Sequence, residues 1–265
     1  MYRRIYHYWP FRPIAEQIRM RQFFAAREWR GLHFGVFASF SAARDYVARQ
    51  GLIAHYEIDH ESWLRVQDRV HLHDYPLLYW LNRVLEQRSK VADLGGSVGV
   101  SYYAFEPLLA AHDIDWLVCE LPEVVETGRA LARERGAKAL RFTVSFQDCD
   151  AHDVLLVAGA LQFIETPVSE LLRSLRRPPR YMLINRIPVH ESKAYVTLQN
   201  TGSAITPCHV FNRQTFQSEL LEVGYELRDE WNCPYHSISI PLHPDHHIAK
   251  FKGMFFELTG APRPR

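Results

Sequence analysis

Residues 91–99 read VADLGGSVG, an apolar segment that ends in an acid and runs into a glycine-rich turn. The pattern predicts a strand, a tight turn and a helix that begins near Val100. Glycine suits such a turn because the backbone needs unusual torsions and because a ligand lying against it leaves no room for a Cβ atom. The order Asp-x-Gly-x-x-x-Gly lacks the register of the Gly-x-Gly-x-x-Gly dinucleotide fingerprint, which disfavours a pyrophosphate ligand.

Two acids at the ends of neighbouring predicted strands indicate which cofactor the turn binds. Asp93 is a poor neighbour for a diphosphate but a good one for the cationic methionine part of S-adenosylmethionine. Glu120 ends the next strand and can accept hydrogen bonds from a ribose diol. A helix-capping role for Asp93 and a solvated position for Glu120 are the weaker alternatives.

The predicted S-adenosylmethionine site extends beyond these two acids. Gln147 or Asp148 can contact the adenine amino group, although a surface turn explains both residues equally well. Tyr102 and Tyr103 can wall the pocket, where an aromatic face attracts a sulfonium, although core packing accounts for at least one of them. The full predicted set is Asp93, Gly95, Gly96, Ser97, Gly99, Tyr102, Glu120, Leu121, Gln147, Asp148 and Gly159.

From Lys90 onward, short apolar runs alternate with helical stretches, which is typical of βαβ units and a mainly parallel sheet. The last part of the chain instead predicts strands without long helices between them, as in an antiparallel edge. The predicted strands lie near 91–94, 116–119, 140–144, 154–158, 181–185, 225–228, 236–240 and 254–258. We therefore expect a Rossmann-like α/β domain over residues 88–265.

The preceding residues 1–87 are predicted to form a helical N-terminal cap or lid. Apolar residues recur at three- and four-residue spacing over 14–29 and 62–85. Pro76 disfavours helix at Tyr75, so a break is expected there, with a fresh helix over 77–84. Residues 35–43 predict a turn followed by a helix start, with Ser39 or Ser41 as the N-cap.

Composition limits the classes of protein that remain. The 265 residues carry 31 basic and 30 acidic side chains, so there is no net electrostatic attraction to nucleic acid. No stretch approaches the roughly 18 apolar residues of a membrane span, and the first residues lack a signal-peptide apolar run. The four cysteines lack metal-site spacing. The His-Pro-Asp-His-His stretch at 243–247 invites a metal interpretation, but a proline-rich turn with solvated histidines is favoured, so no metal is expected. We expect a cytoplasmic protein; the sequence leaves its oligomeric state open, a homodimer included.

Further short segments along most of the chain form a specific combination. They are residues 102–103 (YY), 115–116 (DW), 160–163 (ALQF), 185–188 (NRIP), 197–199 (TLQ) and 207–211 (PCHVF). With these segments the chain resembles a family of methyltransferases often associated with bacterial surface-polysaccharide and secondary-metabolite gene clusters. The resemblance implies a class I methyltransferase fold, S-adenosylmethionine as cofactor and S-adenosylhomocysteine as product, without an assigned acceptor.

Residues 120–126 (ELPEVVE) are also similar to the acid-Leu-Pro segment of small-molecule O-methyltransferases, which use a His-Asp pair beyond the fourth strand. This chain has Gln162 there, which can orient an acceptor but cannot remove its proton. His190 and His209 are the candidate bases because both follow segments expected at the carboxyl edge of the sheet. Arg186 can bind an anionic acceptor or form a salt bridge to the cap, and both interpretations stay open.

The sequence thus predicts methyl transfer to a small molecule, with oxygen favoured over nitrogen and a sugar or polyketide as the expected kind of acceptor. Two rival functions remain. One is an NAD-dependent or nucleotide-sugar Rossmann enzyme, against which the missing fingerprint counts. The other is a catalytically silent, cofactor-binding subunit of a biosynthetic complex, which the missing His-Asp pair favours.

Overall fold

The computed structural model describes residues 12–26, 31–54, 69–86, 89–109, 113–202 and 204–260. The described residues fall into two compact units. The first draws on Met1–Glu57, Pro188–Arg213 and His236–Lys250, and the second on Ile58–Ile187, Gln214–Tyr235 and Phe251–Arg265. The division of the chain at residue 87 stays a prediction.

The second unit contains a seven-stranded sheet. Its strands, in spatial order, are β10 (Tyr225–Cys233), β11 (Phe251–Leu258), β6 (Tyr181–Ile187), β5 (Val154–Ala158), β2 (Lys90–Leu94), β3 (Asp115–Cys119) and β4 (Leu140–Thr143). The five strands from β6 to β4 are parallel, whereas β11 is antiparallel to both β6 and β10. The predicted mostly parallel sheet with an antiparallel C-terminal edge is confirmed.

Three helices connect successive parallel strands: α4 (Val100–Leu109), α5 (Pro122–Glu134) and α6 (Val168–Arg173). Helix α3 (Tyr75–Val84) precedes β2, and α7 (Arg213–Glu222) precedes β10. The predicted start near Val100 is confirmed. Helix α3 begins two residues earlier than predicted, because Pro76 lies in its first turn, where the missing N–H has no helical partner to lose.

The core of this unit lies on both faces of the central strands. Strands β2, β3 and β5 are almost wholly buried, which explains why the sequence shows them as continuous apolar runs without alternation. Trp116, Phe105 and Leu156 are among the large side chains at the centre of the cluster, and Leu77 and Leu81 of α3 pack into it. This packing fixes the carboxyl ends of β2, β3, β5 and β6 along one edge.

The first unit contains a four-stranded sheet in the order β1 (Leu32–Phe37), β8 (Tyr195–Asn200), β9 (Ile205–Asn212) and β7 (Val189–His190). Strands β1, β8 and β9 are antiparallel neighbours, and the short β7 is parallel to β9. Helices α1 (Arg12–Ala25) and α2 (Phe40–Ala48) pack with these strands around Phe23, Phe34 and Leu198.

Several sequence predictions need correction in this unit. Residues 35–37 form the end of strand β1 and not a turn; the ladder is irregular between Phe34 and Phe37, and Gly35 has a φ of +76°, so the strand lacks clean alternation. Residues 236–240 form a loop with one isolated bridge at Ile238, because no neighbouring strand extends the pairing. The Ser39 cap of α2 is confirmed. Residues 27–29 and 62–68 of the two predicted N-terminal helices lie outside the described residues.

The described part of the chain contains no helix with the length and hydropathy needed to cross a bilayer.

Candidate functional site

The turn after β2 has the strained backbone that its sequence predicts. Gly95 and Gly99 have φ values of +71° and +95°, and Ser97 adopts +57° although it carries a side chain. A Cβ atom on Gly96 would lie 2.4 Å from the carboxyl carbon and one oxygen of Asp93. Only glycine fits there without displacing the acid, so the buried position of Asp93 depends on glycine at position 96.

Asp93 is fully buried at the end of β2. Its Oδ2 accepts a hydrogen bond from Trp116 Nε1 at 3.2 Å, whereas Oδ1 has no hydrogen-bond partner among the described residues. Burial raises its pKa to about 7; the Trp116 hydrogen bond opposes this shift, the charge of Glu120 adds to it, and Arg186 opposes it. A buried acceptor without a partner is costly, so this oxygen is suited to a ligand that brings a donor.

Glu120, just beyond β3, ties two loops together. Its Oε1 accepts from the Ser97 backbone N–H at 3.1 Å, and its Oε2 accepts from the Leu121 N–H at 2.8 Å. Burial raises the pKa of this carboxyl, and the two backbone hydrogen bonds oppose the shift. A carboxylate has about four acceptor positions, so Glu120 can hold the turn and still accept from a diol.

Gln147 and Asp148, beyond β4, are exposed. The Thr143 hydroxyl donates to Asp148, and Ser145 Oγ donates to Gln147 Oε1 at 3.1 Å. The arrangement is that of a hydrogen-bonded turn with spare acceptors, and it leaves both sequence interpretations of Gln147 and Asp148 open.

The turn after β5 adds a second buried acceptor. Gly159 has a φ of +84°, and Gln162 donates from Nε2 to the Gly159 carbonyl at 3.0 Å. The Gln162 side chain is buried, yet its Oε1 has no partner among the described residues. The hydroxyl of Ser97 on the first turn is likewise buried and lacks a described partner. Three buried polar atoms at this edge, Asp93 Oδ1, Ser97 Oγ and Gln162 Oε1, therefore have no hydrogen-bond partner among the described residues.

Arg186 lies near the end of β6 with a φ of +58°. Its Nη1 donates to Asp74 Oδ1 at 2.9 Å and its Nη2 to the Ala158 carbonyl at 2.7 Å. The same Asp74 oxygen accepts from the fully buried Asn185 at 2.9 Å, and Asn185 Oδ1 accepts from Trp231 Nε1 at 3.0 Å. The guanidinium is thus held by an ion pair, which is one of the two roles that the sequence left open for it.

Sequence reasoning gave no role to Asp74, Asn185 or Trp231 as partners in this network. Asp74 is 112 residues from Arg186 in the sequence, so no local pattern joins them. The available signal was the Tyr-Pro pair after Asp74, which marks a helix start and therefore a fixed polar side chain in front of it.

Tyr102 packs inside the unit. It is 8% exposed, and its ring lies edge-on to Trp116 at 5.9 Å and to Tyr103 at 5.4 Å. The Arg135 guanidinium lies 4.7 Å from the centre of the Tyr103 ring. Tyr102 thus packs against Trp116, the residue that donates a hydrogen bond to Asp93. The role of Tyr102 as a wall of the cofactor pocket stays a prediction.

The two candidate bases belong to the first compact unit. His190 Nδ1 accepts from the backbone N–H groups of Ser192 and Lys193 at 3.0 and 3.1 Å, so Nε2 carries the proton and lies 3.2 Å from the Asp245 carbonyl. Both ring nitrogens are engaged by backbone groups, so His190 has the contacts of a structural residue.

His209 differs from His190. It is half-buried on β9, with its ring 4.5 Å from Phe211 and 6.3 Å from Phe40. Burial lowers its pKa, which favours the neutral form that a base needs near pH 7.

Among the described residues there is no group of three or more His, Cys, Asp or Glu side chains that could hold a metal ion.

A cavity of about 870 Å³ lies beside edge strand β4 and is lined by Arg129, Arg133 and Lys138 among others. It shares Thr143 and Asp148 with the candidate site but contains neither glycine turn. We place the chemistry at the turns because Asp93 Oδ1, Ser97 Oγ and Gln162 Oε1, three buried atoms without a hydrogen-bond partner among the described residues, lie there together.

Comparisons with known proteins were made on the sequence and on the fold. No family model and no curated protein matches the sequence. The chain is similar in structure to a 1,6-didemethyltoxoflavin N1-methyltransferase from Burkholderia thailandensis, with 18% identity over 86% of this chain and 95% of that chain and a TM-score of 0.53. That enzyme was solved with 1,6-didemethyltoxoflavin and S-adenosylhomocysteine.

Two further structures support the same fold. A glycopeptide N-methyltransferase in complex with S-adenosylhomocysteine shares 9% identity over 77% of this chain and 99% of its own, with a TM-score of 0.52. A methyltransferase from Aquifex aeolicus shares 13% identity over 77% of this chain and 100% of its own, with a TM-score of 0.50. The chain has the Rossmann-like fold of class I S-adenosylmethionine-dependent methyltransferases, which confirms the predicted fold class.

Proposed function

We propose that the chain is an S-adenosylmethionine-dependent methyltransferase that acts on a small-molecule acceptor and releases S-adenosylhomocysteine. One observation carries the proposal: the glycine turn after β2 brings a fully buried Asp93 whose Oδ1 has no partner among the described residues. A buried oxygen of this kind requires a donor, and the cofactor brings an ammonium group and hydroxyls.

The residues at this edge fit S-adenosylmethionine better than they fit a dinucleotide. Asp93 and Glu120 are acids at neighbouring strand ends, and the charge of each raises the cost of a diphosphate nearby. Glu120 can accept from ribose hydroxyls while it holds the Ser97 backbone. The bound cofactor would supply a methyl group on a positively charged sulfur, and the acids of the chain favour that charge.

The contribution of the chain itself is positioning and exclusion of water. Gln162 does not titrate and can serve only through hydrogen bonds. His209, in the first compact unit, stays a candidate base from the sequence, and burial lowers its pKa. If the acceptor atom is an oxygen, as we propose, its hydroxyl proton leaves during or after the attack on the methyl group. Positioning alone suffices for an acceptor that reacts as a neutral amine.

Calorimetric titration tests the cofactor assignment. Wild-type protein should bind S-adenosylmethionine and S-adenosylhomocysteine in the micromolar range and should bind NAD at least ten times more weakly, a difference of about 1.4 kcal/mol. Asp93→Ala and Glu120→Ala should each lose binding of both adenosyl ligands. Glu123→Ala, which changes an exposed acid in the first turn of α5, is the matched control and should bind as the wild type does. Preference for NAD, or no binding by the wild type, contradicts the proposal.

A further inference from the structure

The cavity beside edge strand β4 concentrates positive charge that the chain as a whole does not carry. The 265 residues hold 31 basic and 30 acidic side chains, so the composition is close to neutral. The described lining of the cavity instead contains the basic residues Arg129, Arg133, Lys138 and Arg141 against the single acid Asp148. A concave surface lined mostly by one sign of charge attracts small ions of the opposite sign.

Three of these four cations have no acidic partner in the part of the chain that the structure describes. Arg141 donates twice to Asp115, from Nε at 2.8 Å and from Nη2 at 2.6 Å. Arg129, Arg133 and Lys138 form no ion pair with any described residue. Positions 129 and 133 are four residues apart on α5, a spacing at which like charges destabilise a helix. An anion bound in the cavity would remove this repulsion.

The packing of α5 on β4 fixes one of the three cations. A Cβ atom on Gly128 would lie 2.3 Å from Cε1 of Phe142, so glycine allows the helix to approach the strand closely. The next residue, Arg129, donates from Nη2 to the Phe142 carbonyl at 2.8 Å. One side of the guanidinium is therefore held by the strand. A guanidinium has five N–H donors, so Arg129 keeps four of them for a ligand.

The same contacts make β4 a poor site for an added β-strand. Leu140 and Phe142 direct their backbone groups outward, because the residues that alternate with them bond to β3. The Leu140 N–H already donates to the Ala137 carbonyl at 3.2 Å, and the Phe142 carbonyl already accepts from Arg129. Two of the four outward groups are thus used within the chain, so the cavity suits a compact ligand better than an extended peptide.

Apolar side chains also line the cavity. They are Leu117, Ala132, Ala137, Leu140 and Phe142. The volume of about 870 Å³ lies in the range of sites that hold small organic molecules. An inorganic ion would leave the apolar surface in contact with water, whereas a ligand with an organic part would cover it.

We propose that this cavity is a binding site for a small organic phosphate, separate from the candidate cofactor site. The side-chain donors of Arg129, Arg133 and Lys138 bind the phosphate oxygens, and the apolar lining contacts the organic part. A monocarboxylate carries one charge for three unpaired cations, whereas phosphates carry two or more. Asp148, which the cavity shares with the candidate cofactor site, repels the phosphate and so favours its position beside the cations. The inference does not depend on methyl transfer.

Calorimetric titration with uridine 5′-diphosphate tests the site, and uridine serves as the same molecule without the phosphates. Wild-type protein should bind the diphosphate at least about tenfold more tightly than uridine, and added salt should weaken the binding. The double variant Arg133→Gln with Lys138→Gln should weaken it about tenfold or more, because it removes two charge-assisted contacts. Both side chains are exposed, so this variant is expected to fold. Its affinity for S-adenosylhomocysteine should match that of the wild type.

The double variant Arg83→Gln with Arg176→Gln is the matched control. It removes the same net charge from two exposed arginines that do not line the cavity. Its affinity for the diphosphate should stay within about twofold of the wild type, because the long-range effect of an exposed charge is screened by salt. Saturating S-adenosylhomocysteine should also leave the diphosphate affinity unchanged, since the two ligands are expected at different sites.

Several results would overturn the proposal. An equal loss in both double variants would show that the diphosphate responds to net charge and not to the cavity. Displacement by S-adenosylhomocysteine would place the diphosphate in the candidate cofactor site. Failure of the wild type to bind the diphosphate would exclude a small phosphate as the ligand. An RNA oligonucleotide of about twelve residues that binds more than tenfold more tightly through Arg133 and Lys138 would make a nucleic-acid backbone the ligand instead.

Discussion

The carboxyl edge of the seven-stranded sheet and the loop around Asp245 are both rich in polar side chains, but they use them differently. At the sheet edge, Asp93, Ser97 and Gln162 each keep a buried polar atom without a partner among the described residues. In the loop, Lys193 pairs with Asp245, and both nitrogens of His190 are engaged by backbone groups.

This difference separates a binding site from a structural cluster. Buried polar groups without partners reduce stability, so a fold keeps them where a ligand supplies the missing bonds. Polar groups that satisfy one another have no capacity left for a ligand and serve to fix the chain. Each of the following variants tests one side of this comparison.

Among the four variants that follow, Gly96→Ala is expected to have the largest effect on ligand binding. The new Cβ would lie 2.4 Å from the Asp93 carboxyl, which is fully buried and cannot move aside freely. Affinity for S-adenosylhomocysteine should fall on the order of 100-fold by calorimetry, a loss of about 3 kcal/mol. The matched control is Gly260→Ala, where a Cβ would meet no atom within 4 Å. Unchanged binding in Gly96→Ala would show that the turn does not contact the ligand.

Asp93→Asn should have opposite effects on binding and stability. Affinity for S-adenosylhomocysteine should fall roughly 30-fold, because the buried carboxylate no longer pairs with a cation. The pKa of Asp93 is raised to about 7 from 3.8, so the folded protein binds a proton more tightly than the unfolded chain does. Wild-type stability should therefore fall as the pH rises from about 4 to about 7, and the Asn variant should lack this loss.

Urea unfolding at pH 5 and pH 8 measures that second effect. Between these two values the wild type should lose roughly 2 kcal/mol of unfolding free energy relative to Asp93→Asn. Asp113→Asn, which changes an exposed aspartate, should follow the wild type at both pH values. Parallel pH dependence in wild type and Asp93→Asn would mean that Asp93 is ionised at pH 5 as an exposed carboxyl is.

Glu120→Gln is expected to have a smaller effect. Glutamine keeps one acceptor oxygen, which can hold the Ser97 N–H, but it loses the second oxygen and the charge. Affinity for 5′-methylthioadenosine, which retains the ribose, should fall about tenfold, as for a lost hydrogen bond to a charged group. Adenine carries no diol, so its binding should not change. An equal loss of affinity for adenine would show that Glu120 stabilises the loop and does not bind the ribose.

The sequence predicted the sheet edge well because its signals are local. The apolar runs of β2, β3 and β5 are buried on both faces, and the acids and glycines that follow them lie within a few residues of the strand ends. A short segment therefore contained both the element and its functional side chains. The predicted residues Asp93, Gly96 and Glu120 accordingly lie at the turns that the structure shows.

The remaining parts were not predictable because their contacts join distant segments. Strand β1 pairs with β8 across more than 150 residues, and the irregular register at Phe37 hides its alternation. Asp74 meets Arg186 only in the folded chain. His190 was a candidate base because of its place after a strand, and that role stays a prediction. Its contacts with the backbone groups of Ser192, Lys193 and Asp245 are ones that no periodicity reveals.

The smallest effect on ligand binding is expected from His190→Ala. The substitution leaves two backbone N–H groups and the Asp245 carbonyl without the imidazole, which should cost about 1 kcal/mol and lower Tm by about 2 to 4 °C. Affinity for S-adenosylhomocysteine should stay within twofold of the wild type, since every nitrogen of this ring is used by the loop. His247→Ala changes an exposed histidine of the same loop and should alter neither quantity. A large loss of affinity in His190→Ala would break the comparison, because a side chain with all its bonds satisfied would then be contributing to a ligand site.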